Sequence, residues 1–533
     1  MSQDRSKLRW NGWGWVARKD ELAPREEVWA WLASELGMPA LLATPPRPLA
    51  ELTLPASKLS LQDRVDLSGI VGSGQLRDSG DERAFHARGR SYRDLLLLRS
   101  GDLSSAADAV IYPRSTDEVL AILALASQRR IAVVPYGGGT SVTIARGECE
   151  CAIVLDLSDM DRVIAIDSVS HTAEIETGIY GPALESTLKG KGLTLGYAPQ
   201  TFEFSTLGGW IAHDSAHDAS GWLKGAKLAT PKGLIEADTA ELTNLLLGSE
   251  GRFGVVTEAT LRLKPAAEKC LYRGYLFRDF QTGLAALRSA QQEGCGGTMQ
   301  LLYDAEQTRF LSAFDEIGKK KTLLAGLSDR YRKLRGLPQT PCLLIAGYEG
   351  DAMSTAFQIR RFSAIASRYA AVEFGRAPGE SFRKNRLQEL YVRDSMLDRA
   401  IGMEQFVIAT SWSKMPGVYD AVQKALETVL QATAPREGAH GIVLGCVHAG
   451  TTDGAQLGFT VIFPRTIGAD IEQADKIAVA ARETILASGA AFLDGPTQDA
   501  TLVQKGEGAL AALRAVKNAL DPNAVMNPGK PLP

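Results

Sequence analysis

Hydrophobic and polar residues alternate differently in the two halves of the chain. In the first half, short apolar runs flank one amphipathic stretch, which predicts strands at 109–112 and 131–135 and a helix that begins near Ser115. Ser115 and Glu118 form a capping-box pattern, in which the hydroxyl accepts from the backbone N–H of Glu118 and the carboxylate reaches back. Residues 163–178 alternate as half-buried strands do. We therefore predict sheets covered by helices in this half.

Longer helix-like stretches alternate with strands in the second half. Residues 342–350 and 457–463 are predicted strands, and residues 508–520 form an amphipathic helix that ends at Asp521-Pro522. This change in the pattern of helix-like and strand-like stretches predicts an α+β protein that consists of four segments. They are an N-terminal extension (1–60), a first domain (61–265), a second domain (266–490) and a C-terminal segment (491–533) that returns to the first domain.

Composition and charge exclude several classes of protein. The 533 residues are 45% hydrophobic and 23% charged with a net charge of −3, which is ordinary for a globular protein and gives no basic footprint for nucleic acid. No apolar run approaches the roughly 18 residues of a membrane-spanning helix, and the N-terminus has no signal-peptide core. The pair Cys149 and Cys151 matches neither a redox nor a zinc spacing. We expect a cytoplasmic protein with a small-molecule substrate. The protein is a possible homodimer.

Three consecutive glycines follow a predicted strand. Gly137, Gly138 and Gly139 let backbone N–H groups approach a ligand without an intervening Cβ, and Thr140 and Ser141 add hydroxyl donors. Successive N–H groups form a concave nest for phosphate oxygens. The pattern is not GxGxxG, and it lacks the P-loop lysine. A phosphate cradle is one interpretation, and a tight glycine turn without function is the other.

This glycine loop, residues 135–142, has three partner segments that also combine glycine with polar side chains: 204–210, 248–263 and 527–530. With these four segments, the sequence resembles the FAD-binding para-cresol methylhydroxylase/vanillyl-alcohol oxidase superfamily along nearly its whole length. Within it, the sequence most resembles the alkyldihydroxyacetonephosphate synthase (alkylglycerone-phosphate synthase) family. The segments that carry this second likeness are 9–15, 91–115, 203–210, 248–265 and 389–394.

The resemblance implies a fold and a cofactor. Residues 61–265 would form a two-subdomain FAD-binding domain of the para-cresol methylhydroxylase type, and residues 266–490 an α+β substrate cap. We expect FAD to be bound non-covalently, because the loop region contains no histidine for attachment. The residues that the resemblance assigns to FAD are Pro135, Tyr136, Gly137, Gly138, Gly139, Thr140, Ser141, Val142, Gln200, Ser205, Thr206, Gly208, Gly209, His213, Asp214, Ser215, Ala216, Glu250, Gly251, Gly254, Val255 and Val256.

The sequence departs from the synthase family where that family's chemistry is carried. The family replaces a fatty acid ester on dihydroxyacetone phosphate by a fatty alcohol without net redox change, using an arginine, a tyrosine on a late strand and a run of histidines. Arg393 matches the arginine, but Gly458 stands at the tyrosine and residues 490–498 contain no histidine. Because glycine cannot transfer protons, these departures favour an FAD-dependent oxidoreductase that oxidises an anionic alcohol or hydroxy-acid-like substrate by hydride transfer to flavin. Synthase chemistry and a catalytically dead flavin-binding subunit remain alternatives.

The candidate catalytic residues are Arg393, His448, Asp494 and His213. A planar guanidinium at Arg393 suits bidentate anchoring of phosphate or carboxylate; the alternative is a structural role, paired with Asp394 or with the backbone. By resemblance, His448 lies on the strand-turn that faces the flavin, and Asp494 replaces a family histidine as an acid/base group.

His213 lies in a segment that differs from the family. His213 and His217 are four residues apart and would share a helix face, but no further metal ligands accompany them, so we expect no metal. A flavin-side hydrogen-bonding or acid/base role for His213 and a surface position are both open. The tryptophan-rich segment 9–15 is interpreted as packing rather than as a substrate box.

Overall fold

Helices occur throughout the described parts of the chain. The structure is a computed structural model that describes residues 5–17, 25–213, 218–317, 334–494, 506–530 and 532. Its α-helices are α1 (Glu26–Glu35), α2 (Leu61–Val71), α3 (Gly80–Phe85), α4 (Tyr92–Ser100), α5 (Thr116–Arg129), α6 (Gly181–Lys189), α7 (Leu207–His213), α8 (Ala240–Leu246), α9 (Phe280–Gln292), α10 (Ala305–Glu316), α11 (Ala352–Arg368), α12 (Ala377–Asn385), α13 (Glu389–Leu397), α14 (Met415–Ala432), α15 (Asp470–Ala487) and α16 (Glu507–Leu520).

The strands predicted at 109–112, 131–135, 163–178, 342–350 and 457–463 are present, and further strands accompany them. They are β1 (Leu76–Arg77), β2 (Ala109–Ile111), β3 (Ala132–Tyr136), β4 (Ala152–Asp156), β5 (Val163–Asp167), β6 (Thr172–Glu176), β7 (Leu193–Thr194), β8 (Leu223–Thr230), β9 (Gly233–Ala237), β10 (Val255–Arg262), β11 (Lys264–Pro265), β12 (Lys269–Phe277), β13 (Met299–Tyr303), β14 (Cys342–Gly350), β15 (Val372–Gly375), β16 (Ile401–Ser411), β17 (Ile442–Gly450), β18 (Gly454–Pro464) and β19 (Ala491–Asp494). The α+β class is confirmed.

The chain divides into two units by the density of its internal contacts. The first unit comprises Met1–Lys19, Pro46–Ala266 and Thr501–Pro533, and the second comprises Asp20–Pro45 and Ala267–Ala500. Residues 1–60 are therefore divided between the units.

A four-stranded sheet in the first unit positions the glycine loop. Its order is β1-β2-β4-β3, in which β2, β4 and β3 are parallel and β1 pairs antiparallel. Helix α5 buries Val119, Ile122 and Leu123 in the same core as the strands. β3 ends at Tyr136, so the loop leaves the carboxyl end of a parallel strand, which is the edge where ligands bind in such sheets.

Of the two hydrogen bonds predicted for the N-terminal cap of α5, one is present as predicted and the other has a different donor. Ser115 Oγ accepts from the backbone N–H of Glu118 at 3.2 Å, as predicted. The Glu118 carboxylate reaches back one residue further than predicted and accepts from the N–H of Arg114 at 2.7 Å. Ser115 is fully extended (φ −152°, ψ 158°), and this conformation brings the preceding N–H within reach of the carboxylate.

A five-stranded antiparallel sheet forms the second core of the first unit. Its order is β5-β6-β10-β8-β9, and it packs against α6, α7 and α8 through a buried cluster that includes Leu184, Trp210 and Leu246. Trp210 Nε1 donates to Ser205 Oγ at 2.6 Å, which ties α7 to the segment before it. Two sheets with separate cores agree with the predicted two-subdomain domain.

An eight-stranded antiparallel sheet forms the core of the second unit. Its order is β15-β12-β14-β13-β17-β18-β16-β19. One face packs against α1 and α13 through a cluster that includes Trp29, Leu32 and Met396. On the opposite face, Phe459 stacks on Tyr419 of α14 with 5.8 Å between ring centroids. Among the described helices, none is long and apolar enough to cross a membrane.

Candidate functional site

The first unit contains a cleft of about 860 Å³, including its open mouth. The residues predicted to contact FAD that line this cleft are Pro135, Tyr136, Gly137, Gly138, Gly139, Thr140, Ser141, Val142, Ser205, Thr206, Gly208, Gly209, His213, Glu250, Gly251, Gly254, Val255 and Val256. Gln200 is not among the lining residues, and Asp214, Ser215 and Ala216 lie outside the described residues. Segments distant in sequence thus meet at one cleft.

Neighbouring atoms explain why the loop needs its glycines. A Cβ at Gly138 would overlap the carbonyl oxygen of Phe204, and one at Gly137 would overlap the Thr206 hydroxyl. Gly139 has φ +71°, a conformation that side chains disfavour. The loop therefore lies directly against the 204–206 segment, so that both backbones border the cleft.

Buried polar atoms at the cleft are left for a ligand. Within the described part of the chain, Tyr136 Oη and Asn527 Oδ1 are buried without a hydrogen-bond partner, and both residues line the cleft. Buried polar atoms normally have partners. Lys530 also lines it and places its Nζ 3.0 Å from Glu250 Oε1. Backbone N–H, hydroxyl and ammonium groups are the donors that a dinucleotide diphosphate requires, and the buried Asn527 Oδ1 is an acceptor for a donor elsewhere on a ligand.

The C-terminal segment is anchored to the cleft wall. Lys517 Nζ donates to the carbonyl oxygens of Arg252 at 2.7 Å and Met526 at 2.8 Å, and to Asp521 Oδ2 at 2.6 Å. The N–H of Asn527 donates to the Val133 carbonyl at 2.8 Å. Asn527 and Lys530 were not predicted as individual cleft residues, although the Asn-Pro-Gly-Lys pattern at 527–530 was the available signal.

The tryptophan-rich segment contributes packing. Trp13 is 5% exposed, and its ring centroid lies 6.0 Å from that of Phe204. His213 ends α7 and lines the cleft, whereas His217 lies outside the described residues.

A polar chain of contacts lies on one face of the large sheet in the second unit. Arg393 on α13 donates from Nη2 to Gln405 Oε1 at 3.3 Å, and Gln405 Nε2 donates to Thr460 Oγ1 at 3.2 Å. No carboxylate within the described residues forms an ion pair with Arg393, and its buried Nε has no hydrogen-bond partner there. The guanidinium therefore has a donor left for an anion, and pairing with Asp394 stays the alternative to an anion-binding role.

His448 occupies the space beside Gly458 on the neighbouring strand. β17 and β18 pair Cys446 with Gly458, and a Cβ at Gly458 would lie 2.6 Å from His448 Nε2. Burial lowers the pKa of His448 to about 4, although part of its surface remains accessible. The histidine is therefore a neutral imidazole near pH 7, and the same burial makes it a weaker base than a solvent-exposed histidine.

The backbone of Asp494 is aligned across the sheet with that of Gly458. Val407 pairs with Gly458 on one side and with Asp494 on the other. Residues paired across strands share a face, so position 494 lies on the face that carries Gly458. The side chain of Asp494 lies outside the described residues.

Comparison with known proteins defines the class. Residues 107–237 match the family described as FAD binding domain, and residues 268–531 match FAD linked oxidases, C-terminal domain. The chain belongs to the FAD-binding para-cresol methylhydroxylase/vanillyl-alcohol oxidase superfamily.

Individual relatives differ in how much of the chain they match. The chain is 28% identical to alkyldihydroxyacetonephosphate synthase of Trypanosoma brucei brucei over 88% of its length and 80% of the relative's. It is 28% identical to glycolate oxidase subunit GlcD of Bacillus subtilis (strain 168), over 52% of its length and 58% of the relative's. A solved alkyldihydroxyacetonephosphate synthase structure has the same fold, with 24% identity, a TM-score of 0.82, and 98% of this chain and 99% of that chain covered. These findings support the synthase-type alternative better than the oxidoreductase expectation.

Proposed function

We propose that the cleft of the first unit binds FAD. The glycine loop and the 204–206 segment offer backbone N–H groups and hydroxyls, and Lys530 adds a positive charge. Unpartnered Tyr136 Oη and Asn527 Oδ1 are further groups that a bound ligand can satisfy. When bound, FAD supplies the electrophilic and redox chemistry that amino-acid side chains lack.

We infer that the reaction is the non-redox exchange of the alkyldihydroxyacetonephosphate synthase type. The observation that carries this proposal is Arg393, which lies on a polar sheet face without a carboxylate partner in the described chain. A guanidinium with donors to spare suits the phosphate of an acylated dihydroxyacetone phosphate. The likeness to a synthase over 88% of the chain supports the same substrate class.

The exchange takes up an alcohol and releases a fatty acid, so a group must accept the alcohol proton. His448 is the candidate for this step because of its position and its neutral imidazole, although the burial that lowers its pKa also makes it a weaker base. It also fills the space beside Gly458, where the resemblance places the family's tyrosine. We propose that His448 replaces that tyrosine from the neighbouring strand, while Arg393 holds the phosphate.

Supplying the purified flavoprotein with acyl-dihydroxyacetone phosphate and a long-chain alcohol tests the reaction. We expect the alkyl product and one fatty acid per turnover, at an ordinary enzymatic rate on the order of 1 s⁻¹, detected by mass spectrometry. Arg393→Gln should raise KM for the phosphate-bearing substrate because it removes the anchoring charge. Absence of the alkyl product from fully flavin-loaded enzyme would contradict the proposal.

A second candidate is an FAD-dependent oxidoreductase acting on an anionic hydroxy-acid-like substrate. It is favoured by Gly458 and by the absence of histidine from 490–498. Arg393 would then anchor a carboxylate, and His448 would accept the hydroxyl proton as hydride leaves the substrate carbon. Anaerobic bleaching of the visible flavin absorbance by a hydroxy acid, with no alkyl product in the synthase assay, would select this candidate.

We expect the flavin to be held without a covalent bond. His213 is the histidine among the residues that line the cleft, whereas His86 is fully buried against Asp156. Because the glycine loop, residues 135–142, contains no histidine, acid precipitation should release all of the yellow colour into the supernatant, measured by absorbance. Colour that stays in the denatured pellet would indicate attachment, and a His213→Ala variant that then releases it would locate the bond.

A further inference from the structure

A buried ion pair lies directly behind the glycine loop. Arg5 Nη1 is 2.6 Å from Asp156 Oδ2, and Arg5 Nη2 donates to Asp156 Oδ1 at 2.8 Å. The same Nη2 donates to the carbonyl oxygen of Gly137 at 2.6 Å. Asp156 ends β4 and pairs in register with Tyr136, the last residue of β3. One guanidinium thus joins two parallel strand ends to the first peptide of the loop.

The surroundings of this ion pair hold it in one geometry. The Asp156 side chain is inaccessible to solvent and that of Arg5 is 10% exposed. His86 Nε2 lies 2.9 Å from Asp156 Oδ2, and its Nδ1 lies 2.8 Å from the Glu82 carbonyl oxygen. The Arg5 guanidinium also lies 5.0 Å from the Tyr136 ring centroid. Burial opposes ionisation of Asp156, but the charge of Arg5 and the bond to His86 outweigh it and lower the pKa of the carboxyl.

The hydrogen bond from Arg5 to the Gly137 carbonyl fixes the orientation of the peptide between Gly137 and Gly138. The C=O and N–H of one planar peptide unit point in opposite directions. Because Arg5 draws the Gly137 carbonyl towards itself, the N–H of Gly138 turns to the other side. Arg5 does not line the cleft, whereas Gly137 and Gly138 do. The N–H of Gly138 is therefore turned away from Arg5, and Gly138 itself borders the cleft.

We propose that Arg5 is a positioning residue of the cofactor site, which fixes the glycine loop from behind so that its N–H groups face the diphosphate. The inference rests on the proposed binding of FAD in this cleft. It makes the N-terminal segment, which lies far from the loop in sequence, a part of the cofactor site.

Titration of apo-protein with FAD tests the proposal through Kd, apart from any enzymatic activity. Arg5→Lys keeps the charge beside Asp156, but a compact ammonium cannot span both the carboxylate and the Gly137 carbonyl. Around metal sites, groups that orient the ligating side chains contribute about 10- to 100-fold in affinity, and we take this as the scale for a group that orients the glycine loop. We expect Arg5→Lys and Arg5→Ala to raise the Kd for FAD by about this factor. Guanidinium chloride, well below unfolding concentrations, should restore part of the affinity of Arg5→Ala.

Arg129→Ala is the matched control. Arg129 lies on α5 in the same unit, is partly exposed, and forms an ion pair with Asp66 at 3.1 Å; its loss should leave the Kd unchanged. The inference is overturned if both Arg5 variants bind FAD as tightly as the wild type, or if only the apo-protein melting temperature falls. If the wild-type protein itself binds no FAD, the proposed function of the cleft fails as well, and the two failures are thereby distinguished.

Discussion

Replacing Gly138 with valine is expected to give folded protein that purifies without flavin. A Cβ at this position would overlap the Phe204 carbonyl oxygen and lie 2.8 Å from Ser205 Cα. Both are backbone atoms, so neither can rotate away, and the branched valine adds further bulk. The loop must move away from the 204–206 segment, which separates two walls of the cleft. We expect a flavin content below about one tenth of the wild-type value, since overpacking of this kind costs roughly 1–3 kcal/mol or more.

The measurement is the ratio of visible flavin absorbance to protein, with circular dichroism to establish folding. Gly74→Val is the matched control, because Gly74 lies in the same unit and a Cβ added there would meet no atom within 4 Å. That variant should retain full flavin content. A folded Gly138→Val protein with wild-type flavin stoichiometry would show that the loop does not cradle the cofactor. From sequence, the glycines were expected to let a ligand approach the backbone; the structure adds that Gly138 also leaves room for the Phe204 carbonyl oxygen.

Local patterns explain why much of the fold could be predicted. The strand at 131–135, the cap at Ser115 and the strand at 342–350 follow from periodicity and capping, which involve residues close together in sequence. The residues of the cleft could be predicted for a similar reason. Each wall of the cleft is a short segment in which glycine and hydroxyl residues are adjacent. Each segment can therefore be recognised from sequence alone, without knowing that the segments lie together in the fold.

Contacts between distant strands could not be predicted. The approach of Arg5 to Gly137 joins residues 132 positions apart, and no periodicity encodes it. Gln405 as the partner of Arg393, and His448 as the neighbour of Gly458, depend on the register of β16, β17 and β18. From sequence, Gly458 indicated only the loss of a side chain. The structure adds that a histidine fills the vacated space.

Because His448 fills the space beside Gly458, substitutions at the two positions are expected to be coupled. His448→Ala should lower kcat by about 10²- to 10⁴-fold, the usual contribution of a positioned acid/base group, and leave flavin content unchanged. Gly458→Ala should also lower kcat, since its Cβ would lie 2.6 Å from His448 Nε2 and displace the ring. In the His448→Ala background, the second substitution meets no ring and should add little. A double-mutant cycle on kcat measures this coupling.

The pH profile separates a proton-accepting His448 from one that only packs. Its pKa of about 4 lies below the usual 6.5, so the base form persists throughout the neutral range and is lost only as the pH falls through about 4. We therefore expect kcat to stay level between pH 8 and pH 5 and to decline below that, with the decline absent from His448→Ala. Additive effects in the cycle, or an acid limb that His448→Ala retains, would assign the proton transfer to another group. The same shift predicts a stability change: because the unfolded chain binds a proton that folded His448 does not, stability falls as pH decreases from 6.5 towards 4.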